Sequence, residues 1–105
     1  MNKEYIEIEK DLIPYRFETE LGAELFEFEV HYNAHGDYFT VDLFKDGEVL
    51  VHGEKIVYGQ SLFSEIYDER FPAPEIIPID ESGKETRVGW DNLNKTVFLV
   101  VDNDG

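Results

Sequence analysis

Hydrophobic and polar residues alternate with a period of two through much of the first half of the chain. Successive side chains of a β-strand point to opposite faces, so this alternation predicts strands with one buried face and one solvated face. We expect a short strand at residues 5–9 and longer strands at residues 15–21, 24–32 and 38–45. Residues 48–52 predict a further strand that returns antiparallel to the one before it.

Short turn sequences separate the last four of these strands. Gly22-Ala23 and Asp46-Gly47 each fit the two-residue loop of a β-hairpin, and Asp-Gly is typical of a type I′ turn. Residues 33–37 contain Asn and Gly, which tolerate a positive φ. Together the strands and turns predict an antiparallel meander over residues 15–52.

The second half of the chain is less regular. Residues 75–79 predict a strand that Pro78 confines to a sheet edge or a bend, and residues 96–101 predict a final buried strand. The apolar spacing at residues 59–68, like the sequence at residues 91–93, is compatible with one helical turn.

These elements predict an all-β, mainly antiparallel fold. The expected architecture is a small barrel or sandwich that starts with the four-stranded meander and includes one short helical turn. No repeat or linker divides the sequence, so we expect a single β domain over residues 1–105 with a frayed acidic tail at about residues 102–105. Trp90 is expected to cover the mouth of such a barrel.

Composition supports a globular chain and limits its chemistry. The 105 residues are 42% hydrophobic and include 8 Phe and 6 Tyr, which is ample material for a core. The absence of cysteine excludes disulfides, thiolate catalysis and zinc–sulfur sites. No apolar run approaches the ~20 residues of a membrane span, and no signal peptide is recognisable at the N-terminus, so a cytoplasmic protein is expected.

The charge is the most unusual bulk property. Twenty-four acidic residues against nine basic residues give a formal net charge of −15. Such a surface repels phosphate, so we expect neither direct nucleic-acid binding nor docking on anionic membranes. Basic protein surfaces, other copies held by apolar contacts, and cations are the favoured partners.

Little in the sequence resembles a catalytic site. His31 and His35 could form a loose metal cluster, but no coordination set is fixed, and His52 is expected to pack at a rim. The serines lack a Gly-x-Ser-x-Gly setting and the glycines are too scattered to cradle a phosphate. We therefore predict no enzymatic activity, no cofactor and no metal site.

Two parts of the sequence are candidates for contact with a partner protein. Acids alternate outward on adjacent strands and would face one another at a cost in stability, which favours a negatively charged docking face made by Glu18, Glu20, Glu27 and Glu29. An apolar, proline-stiffened segment follows later in the chain. It either lids the barrel end or contacts a neighbouring subunit, through Phe63, Ile66, Tyr67, Phe71, Pro72, Pro74 and Ile76.

The order of short motifs resembles a known family. The sequence reads V-x-Y-N at residues 30–33, F-x-V-D-L at residues 39–43, G-x-x-I-V-x-G-x-x-L at residues 53–62 and D-N-L-x-x-x-V-x-L at residues 91–99. This arrangement resembles small contractile-tail phage and prophage proteins of the baseplate plug type, over roughly residues 6–101. The resemblance implies a β-barrel-like tail component and brings no catalytic residues with it.

The resemblance implies a non-enzymatic structural component of a phage or prophage tail baseplate that acts through protein–protein contacts. Its partners would be hub, tube or spike proteins and copies of itself. It would occupy the bacterial cytoplasm during assembly and the virion tail afterwards. The acidic face would either line a DNA channel or dock a basic subunit.

Three other functions stay open from the residues alone. A small-molecule or carbohydrate-binding β module could use an aromatic platform formed by Tyr38, Tyr58, Tyr67 and Trp90. An acidic inhibitor that mimics nucleic acid would need regularly spaced acids on one exposed face. A small hydrolase is the remaining alternative.

Overall fold

The alternating first half of the chain forms strands much as its pattern predicts. The computed structural model describes residues 3–64, 70–72 and 74–102, and within them seven strands form two antiparallel sheets. In chain order the strands are β1 (Lys3–Ile6), β2 (Tyr15–Leu21), β3 (Glu24–Asn33), β4 (Tyr38–Lys45), β5 (Glu48–Lys55), β6 (Glu75–Ile79) and β7 (Phe98–Asp102).

The four-stranded sheet has the order β2-β3-β4-β5, which confirms the predicted meander. Phe28 lies at its centre, opposite Phe17 of β2 and Leu43 of β4. Phe28 and Leu43 are completely buried, because the alternating pattern directs them to the face that covers the core. The other face of the sheet carries the charged residues.

Both predicted two-residue hairpin turns are observed, and Asp46-Gly47 has the type I′ geometry that its sequence predicts. Gly22 and Ala23 join β2 to β3 with φ values of 60° and 67°. Asp46 and Gly47 join β4 to β5 with φ values of 53° and 80°. A positive φ at both central residues defines the type I′ turn, whose twist matches that of the strands it connects.

An irregularity in the pairing of β4 with β5 shapes the outer face of this sheet. Val41 pairs with Glu54 and Leu43 pairs with Val51, so Asp42 faces two residues of β5 instead of one. The two residues are His52 and Gly53. Gly53 has a φ of 78°, a conformation that glycine adopts without a steric penalty. The bulge extends β5 to Lys55, three residues beyond the predicted end, and bends the strand around Asp42.

The three-stranded sheet has the order β1-β7-β6, so it joins the two ends of the described chain. Leu99, Val100 and Val101 are all buried because β7 is the central strand. Pro78 lies on β6 at the edge of the sheet, as predicted, since proline cannot donate a hydrogen bond to a further strand.

One hydrophobic cluster connects the two sheets. It contains inward residues of the meander together with residues of β1, β6 and β7 and of the segments between them. The sheets are separate and do not close into a barrel, so of the two predicted architectures the sandwich is the one observed. The fold class of the prediction is confirmed, whereas Trp90 has no barrel mouth to cover.

Several local predictions need correction. The strand expected at residues 5–9 occupies Lys3–Ile6, because Ile8 donates its N–H to the side chain of Asn94 instead of to a strand. No α-helix occurs in the described ranges, and the single 3₁₀-helix, at Lys10–Leu12, was not predicted. The helical turn expected at residues 59–68 falls partly on residues 65–69, which lie outside the described residues.

No helix among the described residues is both long enough and apolar enough to cross a membrane.

We predict that Ala23→Gly stabilises the protein. The left-handed backbone at Ala23 costs a residue with a Cβ about 1–2 kcal/mol, and glycine removes this cost while adding freedom to the unfolded chain. The free energy of unfolding, measured in urea, is therefore expected to rise by roughly 0.5–1 kcal/mol.

Gly47→Ala in the other type I′ turn is the matched control. An added Cβ at this glycine meets no atom within 4 Å, so only the backbone conformation is affected, and we expect destabilisation by about 1 kcal/mol. If both substitutions changed the free energy of unfolding in the same direction, the turn assignment would be contradicted.

Candidate functional site

The predicted acidic face lies on the outer side of β2 and β3. Glu18 is directly opposite Glu27, and Glu20 is opposite the exposed Leu25. None of these three acids forms an ion pair with any residue in the described part of the chain. Their mutual repulsion is therefore uncompensated within the protein, which leaves them available to cations or to a basic partner.

Glu29 differs from the other three acids because the protein already neutralises it. Its Oε1 accepts hydrogen bonds from Nε and Nη2 of Arg16 at 3.1 and 3.0 Å. The guanidinium of Arg16 also lies 3.9 Å from the ring centroid of Phe44, which holds it over the sheet. The hydrogen bonds from Arg16, assisted by His31, lower the pKa of Glu29 from its ordinary value.

The proline-stiffened segment is divided between the core and the surface. Phe63 and Ile76 are only 6% and 1% exposed and belong to the core cluster. Phe71, Pro72 and Pro74 are half-buried. Phe63 and Ile76 are therefore core residues, and a role of the segment in partner contact stays a prediction. Ile66 and Tyr67 lie outside the described residues.

Phe63 explains how this segment is attached to the meander. Its ring contacts Phe28 and Phe71 edge to face at centroid distances of 6.3 and 5.8 Å. Its backbone has a φ of 63°, which is uncommon for a bulky residue. The N–H of Phe63 is held by Glu54 Oε2 at 2.9 Å, so burial of the ring and this hydrogen bond stabilise an otherwise unfavourable conformation.

Asp37 joins the turn between β3 and β4 to the loop before β7. Its Oδ1 accepts hydrogen bonds from Tyr32 Oη at 2.7 Å and from the N–H of Trp90 at 2.9 Å, and its Oδ2 accepts one from Arg87 at 2.9 Å. The backbone hydrogen bond from Trp90, with that from Tyr32, lowers the pKa of Asp37. Tyr32 of the V-x-Y-N motif is thereby linked through Asp37 to Trp90, the residue that precedes the D-N-L motif.

Trp90 packs on the edge of the core and not on a barrel mouth. Its ring lies 4.8 Å from that of Tyr32 and 6.0 Å from that of Phe39, nearly parallel to the latter at 13°. Lys10 donates a hydrogen bond to the carbonyl of Trp90 at 2.6 Å. Asn92 fixes the backbone of the same loop, because its side chain accepts the N–H of Gly89 and donates to the carbonyl of Arg87.

A cleft of about 470 Å³ lies beside this loop. Tyr38 and Tyr58 line it together with Lys55 and Arg87, so two residues of the predicted aromatic platform share one concave surface. Trp90 does not line the cleft, and Tyr67 lies outside the described residues. The Nζ of Lys55 stands 4.5 Å from the ring centroid of Tyr38, so the cleft contains the cations of Lys55 and Arg87 beside the carboxylate of Asp37.

The histidines are arranged differently from the prediction. His31 lies beside Glu29 and Asp42, whose candidate ligand atoms all fall within 4.8 Å of one another, and His35 does not belong to this group. The Nδ1 of His52 lies 3.2 Å from Asp42 Oδ2, and the side chain of His52 is 83% exposed instead of packed at a rim. The sequence analysis did not name Asp42 as a candidate ligand, although alternation along its strand places it on the outer face with Thr40. The pairing of β3 with β4 then puts it opposite Glu29.

Asp80 caps the turn after β6. Its Oδ1 accepts hydrogen bonds from the N–H and Oγ of Ser82, and its Oδ2 accepts the N–H groups of Lys84 and Glu85, all at 2.7–3.0 Å. These bonds, led by that from the Ser82 hydroxyl, stabilise the ionised carboxylate and lower the pKa of Asp80.

The fold and these surfaces define a small all-β protein, in which two antiparallel sheets enclose a core and one outer face is acidic. A family model described as "Cyanophage baseplate Pam3 plug gp18" matches residues 3–104. The chain therefore belongs to this baseplate plug family, which confirms the resemblance read from its motifs. A search of the curated proteins found no match.

We predict that Asp80→Asn destabilises the protein in a pH-dependent way. An amide nitrogen cannot accept the N–H groups of Lys84 and Glu85, so the variant loses part of the turn. The folded-state pKa of Asp80 is lowered, so its stabilisation is complete above the unfolded-state pKa of about 3.9 and is lost as the pH falls through the folded-state value.

The measurement compares urea unfolding of wild type and variant from neutral pH to about pH 3. The difference in unfolding free energy is expected to shrink below about pH 4. Asp46→Asn is the control, because the Asp46 side chain accepts no hydrogen bond among the described residues. If the unfolding free energies of wild type and Asp80→Asn differed by the same amount at every pH, the role of the ionised Asp80 in this turn would be refuted.

Proposed function

We propose that this chain is a non-enzymatic structural component of a phage tail baseplate and that protein–protein contacts hold it there. The observation that carries the proposal is the match of the baseplate plug family over residues 3–104. Hub, tube or spike proteins and copies of the chain itself are the proposed partners. The chain would be made in the bacterial cytoplasm and would reside in the virion tail.

The acidic face supports a docking role. Glu18, Glu20 and Glu27 lie on regular strands of one sheet and have no ion-pair partner among the described residues. A rigid negative surface speeds and orients association with a basic subunit, and it repels a phosphate backbone that passes nearby. Docking and channel lining therefore use the same charges, and we propose docking as the primary role.

The apolar segment supplies a second proposed contact. Phe71, Pro72 and Pro74 are half-buried, while Phe63 anchors the segment to the core. Prolines restrict the unbound segment, so less entropy is lost when a partner covers it. Ile66 and Tyr67 complete the proposed surface as a sequence prediction.

We predict that removing the acidic face slows assembly. The triple variant Glu18→Gln, Glu20→Gln and Glu27→Gln should associate about tenfold more slowly at low salt with a basic baseplate partner. Candidate partners are the products of adjacent reading frames, identified by co-expression and pull-down. Association rates are then measured at several salt concentrations.

The matched control removes the same charge elsewhere. Glu4, Glu7 and Glu9 are exposed and belong to β1 and the segment after it, so replacing all three with Gln changes the net charge equally. The control should retain an association rate close to that of wild type. Equal slowing by both triple variants would show that net charge alone matters and would refute the docking face.

A small-molecule or carbohydrate-binding role is the second candidate, and the cleft beside Tyr38 favours it. Titration of neutral and acidic saccharides into isotope-labelled protein should perturb the resonances of Tyr38, Tyr58 and Arg87 if the cleft binds them. Tyr38→Ala should abolish the response, and Tyr5→Ala, which alters an exposed tyrosine outside the cleft, should preserve it. The absence of perturbations at millimolar saccharide would eliminate this candidate.

A further inference from the structure

The outer face of the four-stranded sheet brings together two carboxylates and two imidazoles from three neighbouring strands. Glu29 and His31 come from β3, Asp42 from β4 and His52 from β5. Nε2 of His31 lies 2.8 Å from Glu29 Oε2 and 3.6 Å from Asp42 Oδ2. Nδ1 of His52 lies 3.2 Å from the same Asp42 oxygen.

Asp42 is the unusual member of this group. Its side chain is only 4% exposed, although its position in the strand directs it to the outer face. Oδ1 accepts the N–H of Gly53 at 2.7 Å, whereas no hydrogen bond among the described residues reaches Oδ2. Oδ2 instead faces Nε2 of His31 at 3.6 Å and Nδ1 of His52 at 3.2 Å, so one metal ion placed between these atoms could be shared by the carboxylate and both imidazoles.

The geometry points to a binding site for a single Zn²⁺-type transition-metal ion, held by Glu29, His31 and Asp42 with His52 as a fourth ligand. Four ligands at the ~2.05 Å bond length typical of Zn–N and Zn–O stand about 3.3 Å apart at the corners of a tetrahedron. The separations from His31 Nε2 to Glu29 Oε2 and to Asp42 Oδ2, 2.8 and 3.6 Å, lie close to this spacing. His52 Nδ1 lies 3.2 Å from Asp42 Oδ2, but His52 is outside the group whose ligand atoms all lie within 4.8 Å of one another, so its side chain would have to rotate to become the fourth ligand. Small rotations of exposed side chains would complete the site.

The surrounding residues orient the carboxylates toward this point. Arg16 occupies Oε1 of Glu29 and leaves Oε2 facing His31. The N–H of Gly53 occupies Oδ1 of Asp42 in the same way. Outer contacts of this kind fix ligand orientation in metal sites. The β-bulge is responsible for the second contact, because it places both His52 and Gly53 opposite Asp42.

The ligand types and the charge select the ion. Imidazole nitrogens suit zinc and similar transition ions, while Ca²⁺ and Mg²⁺ prefer oxygen ligands alone. Arg16 already offsets the charge of Glu29, so a dication would chiefly offset that of Asp42 in a chain of net charge −15, and it would connect β3, β4 and β5. The exposed His52 leaves the site open to solvent, so the ion can enter. This inference does not depend on a role in the baseplate.

The experiment titrates Zn²⁺ into the untagged chain by calorimetry at about pH 7.5, where histidine is available as a ligand. Excess Mg²⁺ is present to occupy nonspecific acidic sites. Wild type is expected to bind one Zn²⁺ with a dissociation constant of roughly 10 µM or lower, and to gain thermal stability accordingly. The ring resonances of His31 and His52, but not those of His35, are expected to shift.

Replacing each of the three histidines with alanine, one at a time, tests the site. His31→Ala is expected to weaken Zn²⁺ binding at least about tenfold, and His52→Ala is expected to weaken it by a smaller factor. His35→Ala is the control and should bind as wild type does. Since the side chain of His52 is 83% exposed, its removal should leave the fold intact even if His31→Ala is unstable.

Two outcomes would overturn the inference: no saturable Zn²⁺ binding by wild type under excess Mg²⁺, or equal Zn²⁺ binding by all three histidine variants. Either result would mean that the cluster is an ordinary network of ion pairs.

Discussion

Burial of the inner face of the four-stranded sheet is the interaction on which the rest of the structure depends. Phe28, Val41 and Leu43 are fully buried, so this face must be covered along its whole length. The three-stranded sheet covers it in the shared core, Phe63 closes it through contact with Phe28, and the ring of Trp90 stacks on Phe39 at another point. The long segments of the second half of the chain connect these covering elements, which explains why they lack a regular pattern.

A sheet with one buried face leaves the other face free to carry charge. The outer face uses this freedom in two ways. Near the first hairpin, Glu18 and Glu27 oppose each other without an ion-pair partner in the described part of the chain, and this is the part of the surface that we propose for docking. Farther along the sheet, the bulge at Gly53 places Asp42 beside His31 and His52. The carboxylate of Asp42 there faces imidazoles of the protein or the ion proposed above. Membership of the baseplate plug family gives both surfaces a setting in which contact with neighbouring subunits, and not turnover, is the proposed task.

Local features of the fold were predictable because they arise from neighbouring residues. Alternation identified the strands of the meander, Asp46-Gly47 identified a type I′ turn, and Pro78 identified an edge strand. The acidic face was predictable in part: the register confirms that Glu18 opposes Glu27, but it also pairs Glu29 with Arg16. The contact between His52 and Asp42 was missed because a bulge shifts the register by one residue and brings the two together, and alternation along a single strand contains no signal for such a shift.

The amino-acid sequence by itself determined the all-β class, the order of the first strands, their buried faces and the acidity of the surface. Each of these follows from the period of a strand, from the conformational preferences of turn residues or from counting charges. Tertiary structure alone decided that β1 pairs with β7, that Asp37 binds the loop at Trp90, and that Phe63 is a core residue instead of an exposed one. The physical reason is distance along the chain. Contacts between residues more than thirty positions apart, such as those of Phe63 with Phe28 and of Asp37 with Trp90, depend on which surfaces are left uncovered after the local elements have formed, and no short pattern encodes that.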